Sequence, residues 1–100
     1  MPNITKKHLI DKISEKTGLT QIDTSICVEA LIEAMKESLC KGKNIEIRGF
    51  AQFKLKERKA RIAHNPRTKE KVHLDNAIKP VFYASKELTK RVNDKLKEKL

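Results

Sequence analysis

The residues best suited to bind another molecule lie between Lys54 and His73, where positive charge is concentrated. This segment holds eight Lys or Arg residues against two acidic residues, a net charge of +6 out of +10 for the whole 100-residue chain. A concentrated basic block is the electrostatic signature of a polyanion site, whereas scattered lysines are ordinary on a solvated surface. Its central run, ARIAHNPRTKEK (residues 60–71), contains little that a core could bury. The segment is therefore predicted to bind an anionic partner.

Other functional classes find less support in the sequence. An anionic membrane usually calls for an amphipathic helix with Trp, Phe or Leu on its apolar face, which the basic block lacks. No stretch approaches the length of a membrane span and the amino terminus lacks signal-peptide features, so we expect a soluble intracellular protein without a membrane partner. We find no nucleophile–base pair, no glycine-rich phosphate loop and no His/Cys cluster at zinc spacing. We therefore expect a protein that is not an enzyme and needs no metal or cofactor.

Two helices are predicted to open the chain. Thr5 is a candidate N-cap for the first, and Gly18 suits its left-handed end. Thr20 is the candidate N-cap of the second, which is predicted to run to about Cys40 and to end before Gly42. The apolar arc of this second helix is wider than one covered side requires, which favours burial against both its own chain and a second copy. A central helix of a monomer is the alternative.

The two cysteines are predicted to be reduced. Cys27 and Cys40 lie thirteen positions apart on the second helix, about 20 Å at the rise of an α-helix, which is too far for a disulfide. We expect both to be buried as small apolar side chains in a reducing compartment.

From Asn44 onward the apolar spacing changes to a period of two, typical of strands. Ile45 and Ile47 alternate with polar residues, and the alternation resumes after Gly49, so a hairpin with a tight corner is predicted. A strand is expected to leave the sheet near Leu55, turn within HNPRT (residues 64–68) and return near Val72 as a long arm. Residues 81–83 form a third strand, and an amphipathic helix follows a candidate cap at Ser85. An isolated two-stranded ribbon is marginal in water, so the arm is expected to be mobile until it binds.

Three motifs in this region, in this order and spacing, resemble the bacterial HU and integration host factor family of DNA-bending proteins. They are Gly-Phe-x-x-Phe at residues 49–53, Arg-x-x-Arg at residues 58–61 and Asn-Pro-x-Thr at residues 65–68. The resemblance extends from about Ile4 to Asn93 and leaves only the tail DKLKEKL outside. It implies an α+β fold: two N-terminal helices, a three-stranded antiparallel sheet with a long β-ribbon arm, a C-terminal helix, and an intertwined dimer. A single domain over residues 1–100 is expected, with a helical base at about 4–42, sheet and arm at about 44–83 and the last helix at about 85–98.

The resemblance also implies a DNA-binding surface on the sheet, the arm and the start of the last helix. Pro66 would be a wedge that enters a base step, because proline is rigid, apolar and without an N–H. From the residues alone, a plain turn-forming role for Pro66 is equally compatible with the sequence. The predicted DNA-binding residues are Arg48, Lys54, Arg58, Arg61, His64, Asn65, Pro66, Arg67, Thr68, Lys69, Lys71 and Lys86, with Lys90 as a further phosphate candidate. Taken singly, each charged residue among them could equally be ordinary solvated surface.

The sequence departs from the family pattern at the arm tip. The family usually has Gly-Arg-Asn-Pro-x-Thr-Gly, where this chain has Ala63, His64 and Lys69 at the first, second and last positions. A side chain disfavours positive φ, so Lys69 leaves the backbone conformation of the tip open. His64 in place of arginine is expected to make one DNA contact pH-sensitive. Ala51 replaces a corner glycine and should only tighten packing.

The resemblance implies a histone-like protein of the bacterial cytoplasm and nucleoid that bends and compacts double-stranded DNA with little sequence dependence. Its partners would be bent, nicked or distorted DNA and a second copy of the chain, with a heterodimer as the alternative. The run IEIRGF (residues 45–50) also resembles the beta subunit of integration host factor, which would give Glu46 and Arg48, on one strand face, a part in recognising a specific site. An ordinary ion pair between them is the plain alternative. RNA binding through the basic arm is a third possibility.

Overall fold

The computed structural model describes residues 3–97. It has three helices and five strands in the order α1, α2, β1, β2, β3, β4, β5, α3, which confirms the predicted α+β class. The elements are α1 Lys6–Thr17, α2 Gln21–Cys40, β1 Ile45–Ile47, β2 Ala51–Arg58, β3 Arg61–His64, β4 Lys71–Leu74, β5 Ala77–Ala84 and α3 Lys86–Lys97. The chain divides into two compact units, one ending at Glu37 and the other beginning at Ser38. The predicted end of the last helix, at about residue 98, lies outside the described residues.

Local side-chain chemistry sets the ends of the first two helices. Thr5 is the N-cap of α1, and its backbone N–H donates to Nδ1 of His8 at 3.3 Å. Gly18 ends α1 with φ 78° and donates its N–H to the Ser14 carbonyl oxygen, as a left-handed cap does. Thr20 Oγ1 accepts the backbone N–H of Asp23 at 3.1 Å at the start of α2. All three predicted caps are confirmed.

The strands form two separate sheets. In the larger, β2 is central and antiparallel to both β1 and β5, while β3 and β4 pair with each other as a ribbon. The corner between β1 and β2 depends on Gly49, whose φ is 81° and where an added Cβ would lie 3.2 Å from Oε2 of Glu87. The strand pairing of β2 with β5 continues to Arg58 opposite Ala77, three residues beyond the predicted departure near Leu55.

One face of the larger sheet is aromatic and apolar. The Phe82 ring makes edge-to-face contacts with Phe53 at 5.5 Å and Phe50 at 5.9 Å between ring centroids. Ala51 is 2% exposed beside them, which agrees with the expected close packing at the corner. The Ser85 N–H donates to the Phe50 carbonyl oxygen at 2.9 Å, so the corner is tied to the start of α3.

A single chain leaves many large apolar side chains exposed to water. Among the described residues, Ile10 and Ala51 are the only buried hydrophobic ones, while on α2 Ile22 is 74% exposed and Ile26 62%. Cys27 and Cys40 are free thiols, as predicted, but both are exposed, so the prediction of burial is wrong for the single chain. The reason is that α2 has little of its own chain around it to cover its wide apolar arc.

Candidate nucleic-acid interface

The basic segment from Arg61 onward folds into an arm made of the β3–β4 ribbon and its turn. The ribbon pairs Arg61 with Leu74 at its base and His64 with Lys71 at its outer end. Two side-chain contacts bridge the break between the larger sheet and this ribbon. The Ala60 N–H donates to Oδ1 of Asn76 at 2.6 Å, and Nη2 of Arg58 donates to the Asp75 carbonyl oxygen at 2.9 Å. The arm is thus joined to the sheet by polar contacts instead of a continuous strand ladder.

The turn at the end of the arm is organised by Asn65. Its Oδ1 accepts the Arg67 N–H at 3.0 Å, its carbonyl oxygen accepts the Lys69 N–H at 2.7 Å, and its own N–H donates to the Glu70 carbonyl oxygen at 2.9 Å. Pro66 follows Asn65 in the turn, where its missing N–H removes none of these three bonds and its fixed φ suits the bend. The result is a defined turn with an exposed proline ring at its end.

Lys69 stands where the family pattern has glycine, and its backbone adopts the left-handed conformation. Its φ is 60°, and it is the one non-glycine residue with positive φ among residues 3–97. A left-handed conformation costs a residue with a side chain about 1–2 kcal/mol. The chain therefore keeps a left-handed tip without glycine, held by the Asn65–Lys69 hydrogen bond.

The sheet beneath the arm presents a polar, basic face opposite its apolar one. Residues directly across an antiparallel pair share a face, so the register places Lys54, Lys56 and Lys79 together with Tyr83. Nζ of Lys54 and of Lys56 lie 5.8 Å and 5.2 Å from the centroid of the Tyr83 ring, within cation–π range. We call this set the basic sheet face.

Sequence reasoning named Lys54 but missed Lys56 and Lys79. The alternation of β2 could have identified Lys56, because residues two apart on a strand, such as Lys54 and Lys56, lie on the same face. Lys79 required the register of β2 against β5, where it pairs with Lys56, and no sequence pattern supplies that register.

Arg48 lies one residue past the strand that contains Glu46. β1 ends at Ile47, so Arg48 lies in the corner that precedes Gly49, and in the part of the chain that is described it forms no ion pair with Glu46. Both residues line one groove together with Gln52 and Tyr83, so a shared face for Glu46 and Arg48 stays a prediction.

The predicted DNA-binding residues fall into four places. Arg48 lies at the corner, Lys54 and Arg58 lie on β2 of the larger sheet, and Lys86 lies in the first turn of α3; the others lie along the arm. All are exposed except Arg58, which is half-buried where its guanidinium meets Asp75. The outer end of the arm brings together His64, Asn65, Pro66, Arg67, Thr68, Lys69 and Lys71.

Three further observations concern an exposed ion pair, metal binding and membrane spans. Nε2 of His73 lies 3.1 Å from Oδ1 of Asp75, an exposed pair on the arm. Within residues 3–97 there is no group of three His, Cys, Asp or Glu side chains that could hold a metal ion. None of the described helices is both long and apolar enough to cross a membrane.

Comparison with known proteins gives a consistent result. Residues 4–93 match the family described as bacterial DNA-binding protein. The chain is 41% identical to the DNA-binding protein HU of Clostridium pasteurianum over 90 residues, covering 90% of this chain and 99% of HU. It is 42% identical to the integration host factor subunit beta of Marinobacter nauticus over 96 residues, covering 95% and 98%.

A solved structure supports the same relationship in three dimensions. The HU chain of an Anabaena HU–DNA cocrystal superposes with a TM-score of 0.82 at 31% identity, covering 89% of this chain and 97% of that one. The family match spans nearly all the described residues, including the arm and its turn. This chain belongs to the bacterial DNA-binding protein family of HU and integration host factor, as its motifs predicted.

Proposed function

We propose that this chain is a histone-like protein that, as a dimer, bends and compacts double-stranded DNA through two ribbon arms in the minor groove, largely independently of sequence. One observation carries the proposal: an exposed basic arm ends in Pro66 on a turn whose conformation is fixed by Asn65. An arm that binds a polyanion needs only charge. A preorganised apolar ring at its end is what insertion between base pairs requires.

Charge along the arm and the basic sheet face supplies the affinity. Residues 54–73 carry a net charge of +6, and their Lys and Arg side chains are solvent-exposed except for Arg58. Contacts from such side chains to phosphates release counterions and hold DNA of any sequence. This favours binding with little sequence dependence.

Pro66 supplies the bend. Inserting an apolar wedge into a base step partly unstacks it, at a cost of a few kcal/mol, and the bent duplex then contacts more of the protein. The tip turn already uses the backbone N–H groups of Arg67 and Lys69 internally. The ring can thus enter the stack without leaving an unpaired donor of its own.

A second copy of the chain completes the fold. The exposed apolar residues of α2 would cost a monomer much of its stability, because burial of apolar surface is the main favourable term in folding. Dimerisation covers them, and two arms then hold one duplex from two sides. We place the protein in the bacterial cytoplasm, at the nucleoid, with an architectural and not an enzymatic role.

Site-specific binding and RNA binding are not favoured. Arg48 lies outside β1 and is not held by Glu46, and the minor groove offers only a degenerate code for sequence readout. A-form RNA does not offer the deformable stacked steps that a wedge exploits as readily as DNA does.

Competition binding tests this function. Three duplexes of equal length and sequence are compared: intact DNA, DNA with a central nick, and RNA. A nick lowers the deformation cost, so we expect the order of affinity nicked DNA, intact DNA, RNA. Equal affinity for all three duplexes would show simple polyanion binding and contradict a wedge.

A further inference from the structure

The C-terminal helix continues past the residues that the family model matches. That match ends at residue 93, whereas α3 runs to Lys97. The additional turn, residues 94–97, contains two cations, Lys95 and Lys97, and one anion, Asp94. The integration host factor subunit beta of Marinobacter nauticus matches 95% of the chain, so its similarity reaches into this turn.

Lys97 joins a row of lysines on one side of α3. At about 100° per residue, Lys86, Lys90 and Lys97 fall within an arc of about 40°, and they are spaced over about 16 Å of helix. Together with Asn93 they line an open groove at the end of β5, next to Ala84. We call these three lysines and Asn93 the α3 stripe.

The stripe is positive and polar along its length. Asp94 also lines the groove and offsets one of the three positive charges. Among the described residues, no carboxylate forms an ion pair with any of the three lysines. Asn93 adds an amide that can donate a hydrogen bond. A surface of this kind fits a row of phosphates better than an isolated anion, because its cations are spread along a line.

The opposite side of α3 provides an internal comparison. Leu88, Val92 and Leu96 form its apolar row, and Lys95 lies about 160° around the helix from Lys97. Lys95 does not line the groove. Both lysines are in the last turn of the helix described here, so each interacts with the helix dipole to a similar extent.

We infer that the additional turn of α3 lengthens the DNA-binding surface: Lys97 extends the α3 stripe so that it binds phosphates of the duplex flanks, beyond the base pairs held by the arms. This inference rests on the proposed function, because only a duplex bent toward the protein brings its flanks to α3. DNA carries one charge per about 1.7 Å of its axis, so a stripe of about 16 Å faces several phosphates.

The test compares Lys97→Ala with Lys95→Ala on two duplexes. The short one is the shortest duplex that the wild-type protein bends fully, and the long one is extended by one helical turn at each end. Affinity is measured against salt concentration. On the long duplex, Lys97→Ala should reduce the slope of log K against log salt by about 0.9 for each phosphate that is no longer neutralised, and Lys95→Ala should leave it unchanged. On the short duplex both variants should match the wild type.

Two further variants complete the experiment. Lys97→Arg keeps the charge and should restore the wild-type slope, while Lys97→Glu should weaken binding to the long duplex more than Lys97→Ala does. Thermal unfolding of each variant checks that the helix is intact. Equal slopes for Lys97→Ala and Lys95→Ala on the long duplex would overturn the inference, as would an equal change in slope for Lys97→Ala on the short and the long duplex. If the wild type bends neither duplex, the proposed function itself fails, which is a separate result.

Discussion

The backbone N–H of Lys69 donates to the carbonyl oxygen of Asn65 at 2.7 Å and closes the turn that holds Pro66 at the end of the arm. Lys69 reaches this position with a φ of 60°, a conformation in which glycine would be unstrained. The tip therefore combines a rigid apolar ring, a fixed turn and a residue under backbone strain within five positions.

Lys69→Gly should stabilise the tip, and Lys69→Ala should not. Both substitutions remove the charge, so their difference reports the backbone alone. A left-handed residue with a Cβ costs at least about 1 kcal/mol, which corresponds to about five-fold slower amide exchange of the turn in the glycine variant than in the alanine variant. Hydrogen exchange of residues 64–71 measures it. Equal exchange rates would show that the turn stores no strain.

Pro66→Ala should reduce DNA bending more than it reduces affinity. The phosphate contacts of the arm remain, so we expect affinity to fall by less than about ten-fold, or about 1.4 kcal/mol, while the bend angle decreases clearly. Fluorescence energy transfer between the duplex ends gives the bend, and titration gives the affinity. Thr68→Ala, two positions along the same turn, is the control that leaves the ring in place. Proportional losses of bend and affinity in Pro66→Ala would exclude a wedge.

Helix packing in the first unit should show a pH dependence. Nζ of Lys6 donates to Oε1 of Glu29 at 2.5 Å, and this hydrogen bond, followed by the charge of Lys6, lowers the pKa of Glu29. A depressed carboxyl pKa stabilises the fold above the unfolded pKa, and the contribution is lost as pH falls through the folded one. Between about pH 6 and pH 3, Lys6→Gln should therefore lose less thermal stability than the wild type. Lys7→Gln, at the neighbouring position that forms no ion pair within residues 3–97, should behave like the wild type. Parallel losses in all three would show that the pair contributes nothing.

Local chemistry could be read from the sequence because each signal acts over a few residues. Thr5, Gly18 and Thr20 end or begin helices through their own side chains or backbone freedom, and the period-two alternation located β1 and β2. Features that depend on distant residues were missed or wrong. Lys79 joins the basic sheet face only through strand register, and the continuation of β2 to Arg58, past the predicted departure near Leu55, depends on its pairing with β5.

The exposure of Cys27 has a different cause. Its apolar neighbours on α2 indicate that the helix is to be covered, but a sequence pattern does not say by which chain. The covering surface in our proposal belongs to a second copy, and burial within one chain was therefore the wrong expectation. The positive φ of Lys69 was likewise beyond the sequence, because propensity argued against it and the hydrogen bonds of the turn decided it.

The central claim, that paired arms bend the duplex, is tested most directly by fluorescence energy transfer across a short intact duplex, labelled at both ends and titrated to saturation. We predict that energy transfer rises as the ends approach, that a central nick lowers the concentration needed, and that added salt reverses both changes. Saturated binding with no change in energy transfer on either the intact or the nicked duplex would contradict it.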